Sequence, residues 1–387
     1  MSRVPVLCIA GGGTGGHVMP ALALADAARE RWPDLDVRFI GAERGLEARL
    51  LPERGESVLL LSMHGIKGAG LWQKLRVLLW ELPKSVLTIR RHWQGGHPDL
   101  LVGVGGYASV SAVTAALLAR VPVILYEQNA MPGLVNRTLG RFCKRMMLGF
   151  AAASAHISDG VRSVVTGNIV RESVLHTHWQ AHQPPRLLVL GGSQGARVFN
   201  QYVPAACVML AREGRMFTVH HIAGSDETAR QAAAAIYAQA GITADVELFC
   251  DDMPAFYAAG DLMIARAGAM TVSEAAVCGM PCLFVPLPHA ADDHQRYNAR
   301  ALADCGAAVL IDQQQMTVES LATQIDACLF DREQLTIMSY AARAAAPQQA
   351  RDRQLDVLAT FLPADHMPTD HLPAVDTQAV DAQEARS

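Results

Sequence analysis

Gly11-Gly12-Gly13-Thr14-Gly15-Gly16 lies between a short apolar run, Val4–Ala10, and a helical stretch from about His17 to Arg31, and it contains a G-x-G-x-x-G pattern. Glycines at such a junction let the backbone approach an anion. The helix start supplies unpaired N–H groups and partial positive charge. The pattern by itself means phosphate, or else a glycine turn closing tightly on a sheet. A dinucleotide would call for an acid ending the second strand, where Glu43 is the candidate. His17 would stand beside a bound phosphate, and the helix dipole favours its neutral imidazole, the form a general base needs.

The second half repeats this chemistry. Gly191-Gly192-Ser193-Gln194-Gly195 is another glycine loop between a strand and a helix. Gly268-Ala269-Met270-Thr271-Val272-Ser273-Glu274 reads as a further helix start, able to hold a phosphate on its first amides. Glu274, one turn in, could accept two hydrogen bonds from a ribose diol. The competing reading is a capped helix, with Thr271 or Ser273 as cap. His289, Asp292, Asp293 and His294 invite a metal, but they follow Pro286 and Pro288 at no recognised ligand spacing, so a polar sugar-binding loop is expected. Asp34-Leu35-Asp36 precedes a strand and reads as a solvated turn.

These residues need elements to position them. Val37–Gly41, Ser57–Ser62, Leu100–Val104 and Pro122–Tyr126 are apolar runs separated by helical stretches, the pattern of a parallel sheet covered on both faces. The pattern lapses around residues 158–171 and through the polar segment His176–Pro185. It restarts with Arg186–Leu190, a helix over Ala196–Arg212, and strands at Phe217–Ala223, Asp245–Phe249, Leu262–Ala265 and Cys282–Val285. The spacing predicts an α/β protein of two doubly wound domains, residues 1–166 and 167–362, meeting across a cleft. Residues 363–387 lack periodicity and read as a disordered tail.

Composition excludes several classes. Of 387 residues, 51% are hydrophobic and 18% charged, so the chain can build cores. The net charge of −4 hides +7 through Thr166 and −11 beyond it, and all four lysines (Lys67, Lys74, Lys84, Lys144) lie in the first half. Only one half is suited to an anionic partner, membrane or phosphate, and no nucleic-acid module is visible. The eight cysteines show no zinc spacing and read as reduced, buried thiols of a cytosolic protein. Val4–Ala25 and Leu100–Ala119 are uncharged, but glycines interrupt both, so strand, turn and helix explain them better than a signal peptide or a span.

Taken in order, the motifs resemble those of the MurG family, bacterial N-acetylglucosaminyltransferases of peptidoglycan synthesis. They are Gly-Gly-Gly-Thr-Gly-Gly-His at 11–17, Gly-Gly-Tyr at 105–107, Glu-Gln-Asn at 127–129 and Gly-Asn-x-Val-Arg at 167–171. Gly-Gly-Ser-Gln-Gly-Ala-Arg at 191–197, Asp-Asp-Met at 251–253, Arg-x-Gly-Ala-x-Thr-Val-Ser-Glu at 266–274 and Asp-Asp-His-Gln at 292–295 complete the series. The resemblance covers about residues 4–362 and implies a GT-B glycosyltransferase fold, with two Rossmann-like doubly wound domains facing across a cleft. The amino half would receive the lipid-linked acceptor and the carboxyl half UDP-GlcNAc, the last helix crossing back to the amino-terminal domain.

Carried over by position, the resemblance implies that Thr14, Gly15 and Gly16 face the diphosphates. Asn129 becomes a sugar or acceptor contact, and Arg171 a neighbour of the nucleotide. Ser193 becomes the phosphate-loop serine, and Cys250 a backbone contact to uracil. Ala269, Met270, Thr271, Val272, Ser273 and Glu274 form the phosphate and ribose site, and Gln295 touches GlcNAc. Ile169 stands where the family usually has proline, and Cys250 where it commonly has isoleucine. The implied reaction moves GlcNAc to the muramoyl 4-hydroxyl of undecaprenyl-diphospho-MurNAc-pentapeptide, giving lipid II and UDP. It inverts the anomeric centre and therefore needs a base, His17, with Glu127 as the alternative. Amides at helix starts can stabilise the leaving group, so no obligatory metal or other cofactor is expected.

The membrane partner is expected along residues 65–93 at the cytoplasmic face of the inner membrane. There Lys67, Trp72, Lys74, Arg76, Trp80 and Lys84 would meet anionic lipid while another face packs inward and Pro83 kinks or ends the first helix. Other cell-wall synthesis proteins are further expected partners. Two rival classes remain. A nicotinamide-dependent oxidoreductase would explain the first glycine loop but not the second. A non-catalytic nucleotide-sugar-binding protein would need no His17.

Overall fold

The computed structural model describes residues 3–63, 72, 76–288 and 290–363. The first sheet contains β1 (Val6–Gly11), β2 (Asp36–Ala42), β3 (Val58–Leu61), β4 (Leu100–Gly105), β5 (Val123–Glu127), β6 (Arg145–Leu148) and β7 (Ser163–Val165). The second contains β8 (Arg186–Leu190), β9 (Thr218–Ile222), β10 (Thr243–Glu247), β11 (Leu262–Ala265), β12 (Cys282–Phe284) and β13 (Ala308–Leu310). Strand order is β3-β2-β1-β4-β5-β6-β7 in one and β10-β9-β8-β11-β12-β13 in the other. Parallel pairing of β1 with β2 and β4, and of β8 with β9 and β11, puts a topological switch point beside each leading strand. The glycine turns follow those strands.

Central strands read as unbroken apolar runs because both faces are covered: Leu7–Ala10, Leu100–Val102 and Leu187–Val189 are all buried. Leu100–Ala119 resolves into β4, a turn at Gly106 and the helix Tyr107–Leu118. No helix among the described residues is long and apolar enough to cross a membrane. The described cysteines carry no disulfide, and burial pushes the Cys8 and Cys278 thiols up to about 12.

Three strands escape the sequence pattern. β6 is short and begins at a charged residue, β13 spans three residues, and β7 has only partly covered side chains. The helix after β8 begins at Gly192 rather than Ala196, so most of the expected loop lies in its first turn. The Ser193 side chain, Lys67, Lys74, His289 and residues 364–387 lie outside the described residues.

The described residues fall into two compact units, one drawn from Met1–Gly13, Leu24–Ile124 and Arg351–Ser387, the other from Thr14–Ala23 and Leu125–Ala350. In the first unit the final helix, Ala350–Ala359, is held by ion pairs Arg351–Glu30 (2.5 Å) and Arg31–Asp356 (2.9 Å).

Candidate active site

The helix Gly15–Arg31 starts directly after the glycine turn, so Thr14, Gly15, Gly16 and His17 occupy one continuous bend. The amides of His17 and Val18 both donate to the Thr14 carbonyl, at 3.0 and 3.2 Å. Thr14 and Gly16 are exposed and His17 half-buried. Gly13 has φ +97°, a conformation other residues resist. Upstream, the Gly12 amide donates to the Gly105 carbonyl (3.3 Å) and the Gly13 amide to the buried Glu47 carboxylate (2.7 Å). Glu43, the acid expected for a dinucleotide, is exposed.

Glu127 ends β5 and is buried. One of its oxygens accepts from the Asn129 amide (2.9 Å) and Asn129 Nδ2 (3.3 Å), the other from the Gly133 amide (2.8 Å) and Asn136 Nδ2 (2.8 Å). Burial pushes its pKa up while these donors pull the other way. Asn298 completes the arrangement. Its Oδ1 accepts from the Ala130 amide (2.8 Å), and its Nδ2 donates to Asn129 Oδ1 (3.1 Å) and the Ala267 carbonyl (3.1 Å). Asn129 is therefore held in place from two directions.

The helix Ala269–Cys278 begins after Gly268 with no side-chain cap, against the capped alternative. The first amides of an α-helix have no intrahelical acceptor, so this turn can receive phosphate. Ala269, Val272, Ser273 and Glu274 are buried, and Met270 and Thr271 partly so. Ser273 Oγ accepts from Asn168 Nδ2 (2.9 Å), whose amide group also reaches the Gln128 carbonyl (3.0 Å) and accepts from Tyr126 (2.9 Å). One Glu274 oxygen accepts from Arg171 Nε (3.3 Å) and Nη2 (3.1 Å), and the other from the Tyr257 hydroxyl (2.8 Å). The second oxygen retains capacity for a further hydrogen bond, so a ribose hydroxyl can join this arrangement. Burial, with the Glu274 charge adding to it, pushes the Tyr257 phenol well above its ordinary value, keeping it a donor.

Cys250 is half-buried ahead of the helix Met253–Ala258, which Asp252 caps through the Ala255 amide (3.0 Å). Gln295 accepts from the Leu287 amide (2.9 Å), tying its helix to the preceding loop. Asp292 and Asp293, at φ +51° and +53°, pair with Arg137 (3.3 Å) and Arg296 (3.1 Å). Among the described residues no three His, Cys, Asp or Glu side chains are grouped to hold a metal. Glu47, Asn298, Asn168 and Tyr257 went unrecognised as site residues in the sequence. Asn298 lay one helical turn beyond Gln295 and Asn168 inside a quoted motif. Glu47 and Tyr257 carried no local signal.

Two doubly wound sheets with uncapped or glycine-rich helix starts at their switch points are the layout of the GT-B fold. Residues 7–148 match the glycosyltransferase family 28 N-terminal domain, and residues 186–354 its C-terminal domain. A UDP-N-acetylglucosamine–N-acetylmuramyl-(pentapeptide) pyrophosphoryl-undecaprenol N-acetylglucosamine transferase of Anaeromyxobacter sp. (strain Fw109-5) is 42% identical, covering 81% of this chain and 82% of the relative. The transferase of the same name from Aeromonas hydrophila is 40% identical, covering 90% and 95%. The crystal structure of Acinetobacter baumannii MurG superposes with a TM-score of 0.76 at 32% identity, covering 92% of this chain and 99% of that one. The chain belongs to the MurG family of these transferases.

Proposed function

We infer that the chain transfers GlcNAc from UDP-GlcNAc to the 4-hydroxyl of undecaprenyl-diphospho-MurNAc-pentapeptide, releasing UDP. The helix start at Gly268–Glu274 carries this reading. It joins uncapped amides for the diphosphate to a buried carboxylate for the ribose, with Arg171 alongside. An α-linked donor yielding a β-linked product requires in-line displacement, with the acceptor hydroxyl losing its proton. His17 is the base. Glu127 ranks behind it, because both its oxygens already take two protein donors. UDP leaves as charge gathers on its phosphate, which helix-start amides stabilise without reorganising. Cys250 contributes a backbone contact to uracil, Ser193 and Thr14–Gly16 meet phosphate, and Asn129 and Gln295 meet the sugars.

The enzyme works as a peripheral protein on anionic lipid at the cytoplasmic leaflet. Trp72 (86% exposed) and Trp80 (76%) stand in solvent with Leu79, Leu87, Arg76 and Lys84, while Val77, Val86 and Ile89 are buried. Five residues, Val77–Glu81, form a π-helical turn that runs directly into the helix Leu82–His92, and Pro83, which has no N–H to give to that turn, stands just after it. One face thus packs while apolar rings and cations face outward, the composition of an interfacial surface.

The test is transfer of labelled GlcNAc to the lipid-linked acceptor, with and without chelator. Labelled lipid product in both arms supports the reading. Product lost on chelation would overturn the metal-free leaving-group step, and UDP-GlcNAc binding with no transfer would leave a sugar-nucleotide-binding protein.

A further inference from the structure

The most unusual charge in the first unit is Glu47. It opens the short helix Glu47–Glu53 and is wholly buried, yet the chain supplies no cation to it among its described contacts. Two backbone amides meet it instead. Oε2 accepts from Gly13 (2.7 Å) and Oε1 from Ala42 (2.9 Å), joining the glycine turn after β1 to the end of β2. Three glycines from three segments make room for this carboxyl. A Cβ added to Gly12, Gly41 or Gly45 would overlap Glu47 side-chain atoms. Only Gly12 of the three has a left-handed φ, so space for Glu47 is the reason Gly41 and Gly45 must be small.

We propose that Glu47 is a positioning residue for the glycosyl transfer, fixing the Gly11–Gly16 turn and through it the first helical turn that carries His17. The proposal rests on the reading of His17 as base. A bond from an amide to a charged acceptor is stronger than a neutral one, and this one grips the turn four residues before His17. It also changes what the turn can do. The Gly13 N–H is occupied by a protein carboxylate, so the first half of the glycine run is scaffold. Anion contacts pass to Thr14, Gly15 and Gly16 at the helix start. The buried negative charge further discourages a diphosphate from settling over Gly12 and Gly13, which separates this turn from a dinucleotide cradle.

Glu47→Gln keeps the volume but turns an NH2 toward one of the two amides. Gly45→Ala leaves Glu47 intact and presses a methyl on its carboxyl, at a position whose φ tolerates alanine. Both should raise hydrogen exchange at the 11–17 peptide and lower kcat roughly 10- to 100-fold, the cost of a small misplacement of a reacting group. UDP affinity should stay within about twofold, since the nucleotide is read elsewhere. The decisive arm is a cycle with His17→Ala. If Glu47 acts through His17, adding Glu47→Gln to His17→Ala costs little more. Equal proportional losses in both backgrounds, or variants with unchanged exchange and kcat, overturn the proposal. A His17→Ala enzyme with near-normal turnover overturns the His17 reading itself and the proposal with it. Variants that lose UDP binding in step with Tm would make Glu47 a residue of the fold only.

Discussion

The turn at residues 11–16 and the turn at Gly268–Glu274 look alike in sequence, each a strand, glycine and small residues leading into a helix. They differ in where the carboxylate stands. In the first, Glu47 lies beneath the glycines and takes the Gly13 amide, so that part of the turn is closed to an anion. In the second no side chain caps the helix, and the carboxylate, Glu274, sits a turn further on between Arg171 and Tyr257. In the proposed reading, one turn holds a histidine in place and the other reads a nucleotide. Glycine permits close approach, and the neighbouring charge decides what approaches.

The largest effect that would break this contrast is on turnover. His17→Ala should lower kcat by about 10²–10⁴, the range for losing a general base, with UDP affinity unchanged. Steady-state transfer assays check this, and near-normal turnover would remove His17 from the role. Next comes Glu274→Gln, which should weaken UDP and UDP-GlcNAc by roughly ten- to hundredfold, or about 1.5–3 kcal/mol for a hydrogen bond to a charged group. A 2′,3′-dideoxyribose analogue should be affected much less. Equal weakening of both ligands would assign Glu274 to the phosphates or the fold.

A smaller effect separates nucleotide reading from the core behind it. His221 is buried on β9, its Nε2 against Asn200 Oδ1 (2.9 Å) and its Nδ1 against the Tyr237 hydroxyl (3.0 Å). Asn200 Oδ1 can only accept, so the proton of the neutral ring is on Nε2. Burial above all, with His220 adding to it, lowers its pKa to about 3. The unfolded chain binds a proton below about 6.5 and the folded one does not. Stability is therefore complete above pH 6.5 and falls as pH drops toward 3, by about 2 kcal/mol at pH 5. Urea unfolding of wild type and His221→Leu at pH 7.5 and 5 should show a smaller pH loss in the variant. A pH loss equal in both would mean that His221 titrates normally.

The smallest effects are at the surface. Replacing Lys67, Lys74, Arg76 and Lys84 with glutamine should reduce sedimentation with anionic vesicles, each cation near the bilayer being worth about 1 kcal/mol. Transfer to a short soluble acceptor should survive. Unchanged vesicle binding at low salt would take this segment off the membrane.

Much of this architecture was legible because buried parallel strands leave apolar runs, and helix starts leave glycines and small residues. β1, β2, β4, β5, β8 and β11 all fall where those runs predicted. β7 did not, because Ser163–Val165 at a sheet edge is too short a run to stand out. Within the site, the residues inside motifs lie on the expected elements except 192–195, which stand in the first turn of a helix rather than in a loop. Arg171 beside Glu274 is a pairing across 103 positions that no spacing reveals. Glu47, four residues after Glu43, gives no signal of its own in the sequence, since both look like surface acids of a turn. Only the fold shows that Gly12, Gly41 and Gly45 converge on one of them. The ion pair on Asp292 was hidden for the same reason: its partner Arg137 is far away in sequence.

The division of labour between the two helix starts is tested most directly by calorimetric titration of UDP into wild type, His17→Ala and Glu274→Gln, all folded to the same Tm. His17→Ala should bind UDP as wild type does while failing to transfer sugar, and Glu274→Gln should bind roughly ten- to hundredfold more weakly. UDP affinity lost in His17→Ala and kept in Glu274→Gln would contradict it.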